Sequence, residues 1–209
     1  MSKPVPERIE GPPATSEGLC PFDLIFCLAG LPERKRFGWE LFQRGVASTL
    51  LLSVGRSEAR FLKARAGLPD DGNIVSLLPI RPEKGNHIFL WADRGGLHPE
   101  VIRLPELNTF GEIWALGEVI RSRRIRRVLV ISSGAHLRRI RYAVRKLFGA
   151  TPVQITYLGV PKGTTTLDTP RWWRRPHDAR MVIAESMKLA GYHLKYGILR
   201  WHHRYAGSL

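Results

Sequence analysis

At several places apolar residues fall in continuous runs rather than in alternation. Asp23–Leu28, Ala47–Val54 and Arg127–Ile131 are such runs, each closed by small or polar residues. A run without alternation marks a strand covered on both faces, as in a parallel sheet. Between the runs the apolar spacing changes to three and four. Phe37, Leu41 and Phe42 share one face of a helix over 32–44, which Gly45 ends. Ser57–Ala66 reads as a helix with Ser57 as its N-cap, stopped by Gly67, Leu68 and Pro69. Ile113, Leu116 and Ile120 predict a helix over 110–121. Leu137, Ile140, Val144 and Leu147 predict another over 135–148, and Asp178 to about Leu199 a long closing helix. Val153–Leu158 supplies a further strand. Strands alternating with helices imply βαβ crossovers and a mostly parallel sheet. The expectation is one α/β domain over 21–200.

Residues 70–107 break that rhythm. Asn73–Leu78 reads as a strand or a short helix. His87–Trp91 and Val101–Leu104 flank a Gly-rich turn, Asp93 to Gly96, and predict a β-hairpin, taken as part of an insertion over about 70–107. Residues 1–20, with Pro4, Pro6, Pro12 and Pro13, read as a flexible leader, and 201–209 as a basic tail. The leader lacks the apolar centre of a signal peptide. No run reaches the roughly 20 apolar residues of a spanning helix.

Composition bears on partners. With 209 residues, 44% of them hydrophobic, the chain is large enough to fold around its own core without metal or disulfide. Lys and Arg number 33 against 18 Asp and Glu, a formal charge of +15. That balance suits an anionic small molecule, nucleic acid or an anionic surface, or is simply solvated. Cys20 and Cys27 have no second pair for a zinc site. The spacing leaves a disulfide open, but Cys27 lies within a strand-like run, which favours a buried thiol and a reducing compartment. No metal site is expected, and His202-His203 reads as part of a surface tail. The aromatic and cationic stretch Thr169–His177 suits base stacking, a membrane interface, or a rigid loop with Trp172 and Trp173 packed on the sheet edge.

Nucleophile-elbow, phosphate-loop and dinucleotide glycine motifs are missing from the sequence. In open α/β sheets, ligands bind beyond the carboxyl ends of the strands. Those ends carry Gly30 and Arg34 after the first strand, and Ser53 and Gly55 after the second. Ser132, Ser133, Gly134, His136 and Arg139 follow the Arg127–Ile131 strand. A strand entering a Ser-Ser-Gly turn and then a helix favours an anion at the free amides. On this reading Ser132, Ser133 and Gly134 hold the anion and Arg34 and Arg139 neutralise it. His136, near the ordinary imidazole value of about 6.5, moves a proton. The plain alternative makes Ser133 an N-cap and leaves His136 and Arg139 in solvent. Asn108 and Thr109 enter the next candidate cluster with Glu112. Thr109 and Glu112 match a capping box; alternatively Glu112 points inward as a general base or ligand acceptor. Glu185 and Lys188 match a surface ion pair.

These segments resemble the YdcF/SanA/ElyC family of bacterial proteins. The resemblance rests on Asp23–Gly30, Glu33-Arg34, Leu41–Gly45 and Leu52–Gly55. It continues in Asn108-Thr109 with Glu112, Val130–Ser133 with His136 and Arg139, Trp172 or Trp173, and the Glu185–Lys188 helix. The chain departs from the family pattern at Val54, Ile113, Ser132 and Ile140. The resemblance implies a Rossmann-like three-layer fold and a role in cell-envelope biogenesis, on peptidoglycan precursors or a lipid carrier. The cysteine usage and the lack of a targeting segment lead to the expectation of a cytoplasmic protein, peripheral to the inner membrane if membrane-associated at all. One branch is similar to proteins that bind S-adenosylmethionine, which makes that molecule a candidate cofactor. The family implies no assigned reaction.

Overall fold

A computed structural model describes residues 20–55, 58, 85–149, 152–161 and 169–198. The expected Ser57–Ala66 helix, the 73–78 segment, residues 1–19 of the leader and the tail with His202 and His203 lie outside the described residues.

The described residues form an α/β fold around a six-stranded mixed sheet. In chain order the elements begin with β1 (Phe22–Cys27), α1 (Pro32–Gln43), β2 (Ala47–Val54), β3 (Asn86–Asp93) and β4 (Gly96–Arg103). There follow α2 (Thr109–Ser122), β5 (Arg127–Ser132), α3 (Gly134–Phe148), β6 (Gln154–Gly159) and α4 (Pro176–Tyr192). A 3₁₀ turn over Thr169–Arg174 precedes α4, and π-helical turns over His193–Ile198 follow it. The strand order is β4-β3-β2-β1-β5-β6. The β1–β2, β1–β5 and β5–β6 pairs are parallel, while β2–β3 and β3–β4 are antiparallel. The sheet is mixed because β3 runs antiparallel to both β2 and β4.

Each of the continuous runs became an interior strand. Leu24, Ile25, Phe26 and Cys27 are all fully buried in β1. One face of the sheet packs Ile25, Cys27, Leu50, Leu52 and Ile131 with Leu41 of α1. The other packs Leu24, Phe26, Leu51, Val128 and Val130 with Ile113, Leu116 and Ile140 of α2 and α3. Burying each Leu, Ile or Phe contributes about 1.5–3 kcal/mol. Helices thus lie on both faces of the sheet, and β1 is central.

Close approach is achieved with glycine. A Cβ on Gly38 of α1 would lie 2.3 Å from the Cys27 Sγ, so helix and strand are nearly touching there. Burial pushes the Cys27 thiol up to about 12, and the thiol donates to the Arg34 carbonyl at 3.6 Å. The expected buried thiol is therefore present, and both cysteines are free.

Helix α2 ends with two bonds that close its last carbonyls: Arg124 N to Arg121 O, and Ile125 N to Ile120 O at 3.0 Å. That closure needs a left-handed residue, usually glycine or asparagine. Here it is Arg124, at φ 54. A side chain in that conformation costs about 1–2 kcal/mol.

No helix among the described residues is long and apolar enough to cross a membrane.

Candidate functional site

The carboxyl ends of β1, β2 and β5 meet the N-termini of α1, α2 and α3, and one hydrogen-bond network joins them. Its hub is Ala29, just past β1. The Ala29 carbonyl accepts from Arg34 Nη1 at 2.9 Å, and its N–H donates to Glu112 Oε1 at 2.9 Å. Pro32 begins α1 and sets Arg34 in its first turn. Gly30 makes room for this side chain, having φ 127, and any Cβ there would come within 2.9 Å of Arg34 Nη1.

The Arg34 guanidinium is 6% exposed. Besides Ala29 it donates to Ser133 Oγ at 2.8 Å and to His136 Nδ1 at 3.1 Å. All three acceptors are neutral, and its Nε finds no acceptor. Because a guanidinium only donates, Nδ1 of His136 must be the unprotonated nitrogen. The Ser132 hydroxyl, 3.0 Å from the same atom, donates as well. The ring proton is then on Nε2 and points to Thr109 Oγ1 at 3.1 Å. Burial, reinforced by the charges of Arg34, Arg139 and Lys188, pushes His136 down to about 2. This corrects the expectation of an imidazole titrating near neutrality. His136 is a neutral, buried group that fixes the strand-to-helix turn.

Glu112 is 6% exposed and also turns inward. The expected capping box does not form. The cap of α2 is Asn108, whose Oδ1 accepts from Phe110 N at 2.9 Å and Gly111 N at 3.1 Å. Glu112 is therefore the fourth helical residue, too far along to reach back. Its Oε1 accepts instead from Ala29 N and from the Ser53 hydroxyl. Ser53, having given its proton, accepts from His87 Nε2 at 2.6 Å. Burial raises the Glu112 pKa, opposed by the Ser53 and Ala29 bonds and by the charges of Lys35 and Arg34.

Thus Gly30, Arg34, Ser53, Thr109, Glu112, Ser132, Ser133 and His136 come together. Gly55 stands beside them, donating its N–H to Glu58 Oε2 at 2.7 Å, while Glu58 Oε1 pairs with Lys35 Nζ at 2.6 Å. Asn108 is spent on the cap and on Glu106 Oε2 and the Tyr196 hydroxyl at 2.8 and 3.0 Å. Arg139 is not free to neutralise a ligand alone, since it pairs with Glu185 at 3.2 Å, which Lys188 also approaches at 3.0 Å. Ser133 is the N-cap residue of α3, but its side chain makes no capping bond. His136 N and Leu137 N bond to the Ser133 carbonyl, leaving the Gly134 and Ala135 amides without an acceptor among the described residues. No acidic residue stands in that first turn.

A recess of about 470 Å³ opens beside those amides. Gly134, Ala135, Arg138 and Arg139 line one side, and Trp172, Ile183, Glu185 and Met187 the other. Trp172 thus forms a wall of this recess, while Trp173 is exposed. Glu112 and His136 are not among the residues that line it.

Sequence reasoning gave His87 and Lys35 no role, and it read the Glu185–Lys188 pair but not the pairing of Glu185 with Arg139. His87 shares a strand face with Phe89 and Trp91, a period-two placement that marks it as inward. Lys35 shares the buried face of α1 with Gly38 and Leu41, so a fully buried charge there was detectable from spacing. Glu185 gave no signal beyond its pairing with Lys188. Comparison with family models, curated proteins and solved structures finds no match for this chain.

Proposed function

We propose that the chain binds an anionic or nucleotide-like small molecule in the recess at the N-terminus of α3. One observation carries this reading. A buried guanidinium, Arg34, bonded only to neutral acceptors, stands behind a helix N-terminus whose first two amides are unused. An anion in the recess would accept from the Gly134 and Ala135 amides and lie in the field of the Arg34 charge. Arg138 and Arg139 lie at the same opening, and Trp172, Ile183 and Met187 offer an apolar wall for the rest of the ligand. With the motif resemblance, this supports a Rossmann-like domain of the YdcF/SanA/ElyC kind serving bacterial envelope biogenesis. The ligand is then a peptidoglycan precursor, a phosphorylated lipid carrier or S-adenosylmethionine.

The test is calorimetric titration with nucleotides, S-adenosylmethionine and a polyprenyl phosphate, on the native chain and on Ala135→Glu. The new carboxylate would occupy the amide site and complement the helix dipole, so folding should be unimpaired. Binding is expected to weaken about tenfold or more. Equal affinity in the two chains removes the site. A second reading is a nucleic-acid or anionic-surface binder, favoured by the exposed stripe of Arg138, Arg141 and Arg145 along α3. Retention on heparin that falls steeply with salt would favour it.

A further inference from the structure

At the opposite end of the sheet, before β5 and β6 begin, lies a second recess of about 600 Å³. Its floor is apolar: Ile120, Ile125, Phe148 and Val153. Ile125 and Phe148 are 9% and 8% exposed, so the floor is continuous with the core. Arg121, Arg124 and Arg126 stand around it. The volume falls within the roughly 300–1,000 Å³ of small-molecule sites. Helix α3 is 15 residues long, which separates this recess from the first by about 22 Å.

The arginines here are not equivalent. Arg121 pairs with Glu118, Arg123 with Glu100, and Arg127 with Asp23. The guanidinium groups of Arg124 and Arg126, both at the recess, have no ion-pair partner among the described residues, although the Arg126 backbone N–H donates at 2.9 Å to Asp23 Oδ2, whose charge Arg127 pairs. The ends of α2 and α3 converge here too, each with roughly half a negative charge. Two unpaired guanidinium groups outweigh two half charges, so the opening remains positive. Arg124 also holds the left-handed conformation that glycine would adopt without strain. A strained arginine where glycine is the unstrained choice indicates that its side chain is used.

We propose that this recess is a binding site for a small amphiphilic anion. A carboxylate or phosphate head lies between Arg124 and Arg126, and an apolar body rests on Ile120, Ile125, Phe148 and Val153. The site is separate from the recess at the α3 N-terminus and does not depend on what that recess binds.

The experiment is titration of the Ala135→Glu chain, so that an anion at α3 does not contribute, with octyl phosphate, octanoate, inorganic phosphate and octanol. Octyl phosphate or octanoate is expected to bind at least about tenfold more tightly than inorganic phosphate or octanol. The Arg124→Gly, Arg126→Gln double variant should lose about tenfold or more. Arg124→Gly relieves the left-handed strain, so its melting temperature should be no lower than that of the parent, and lost affinity reads lost charge. Inorganic phosphate binding as well as octyl phosphate would overturn the apolar floor. Unchanged affinity in the double variant would overturn the whole site.

Discussion

Glu112→Ala is expected to destabilise the chain by about 3–5 kcal/mol, the sum of two stranded buried donors and the space left behind. The donors are the Ala29 N–H and the Ser53 hydroxyl, both directed at Glu112 Oε1. Because the two converge on one oxygen, Glu112→Gln can keep both and should lose less than half as much. The variants also differ with pH. Burial raises the Glu112 pKa in the folded chain, so its favourable contribution is present in acid and lost as pH rises through that raised value. Glu112→Gln abolishes this alkaline-going loss. Urea unfolding of the three chains across pH measures both effects. Equal losses for Ala and Gln would show that the carboxylate's acceptor role is not what holds these segments together.

The second large effect appears on acidification. His136 titrates at about 2 in the folded chain against 6.5 when unfolded. Its folded value is depressed, so its contribution is complete above 6.5 and disappears as pH falls below it. Each pH unit there removes about 1.4 kcal/mol, or about 3 kcal/mol over two units. His136→Asn keeps an acceptor for Arg34 and Ser132 at the place of Nδ1 but cannot take up a proton. Its stability curve should be flatter by that slope, although it is less stable at high pH for want of the bond to Thr109. Parallel curves for the two chains would mean that His136 is not the group resisting protonation.

The sheet was legible in the sequence because parallel strands write themselves as unbroken apolar runs. Ala47–Val54 has the predicted bounds, and β1, β5, β6, α1, α2 and α3 differ from expectation by a residue or so at their ends. The closing helix was read through to about Leu199, yet α4 ends at Tyr192, one residue after Gly191, and gives way to π-helical turns. The site was legible as a set of segments, because loops at the carboxyl ends of parallel strands must lie together. What each side chain does there was not. The shift of the α2 cap by one residue, from Thr109 to Asn108, turned Glu112 from a cap into a buried acceptor. Whether a histidine is charged depends on who surrounds it, and Arg34 lies 102 positions away.

The contact of Gly38 with Cys27 carries a last consequence. Nothing can be added to that sulfur while α1 rests on β1, since even a methyl group at Gly38 would collide with it. Alkylation or oxidation of Cys27 therefore requires α1 to lift away, and a chain so modified cannot reseat the helix. Since the same helix carries Arg34, a derivatised Cys27 and the bonds from Arg34 to Ser133 and His136 exclude one another. The rate at which a small thiol reagent labels Cys27 thus clocks how often the first helix leaves the sheet.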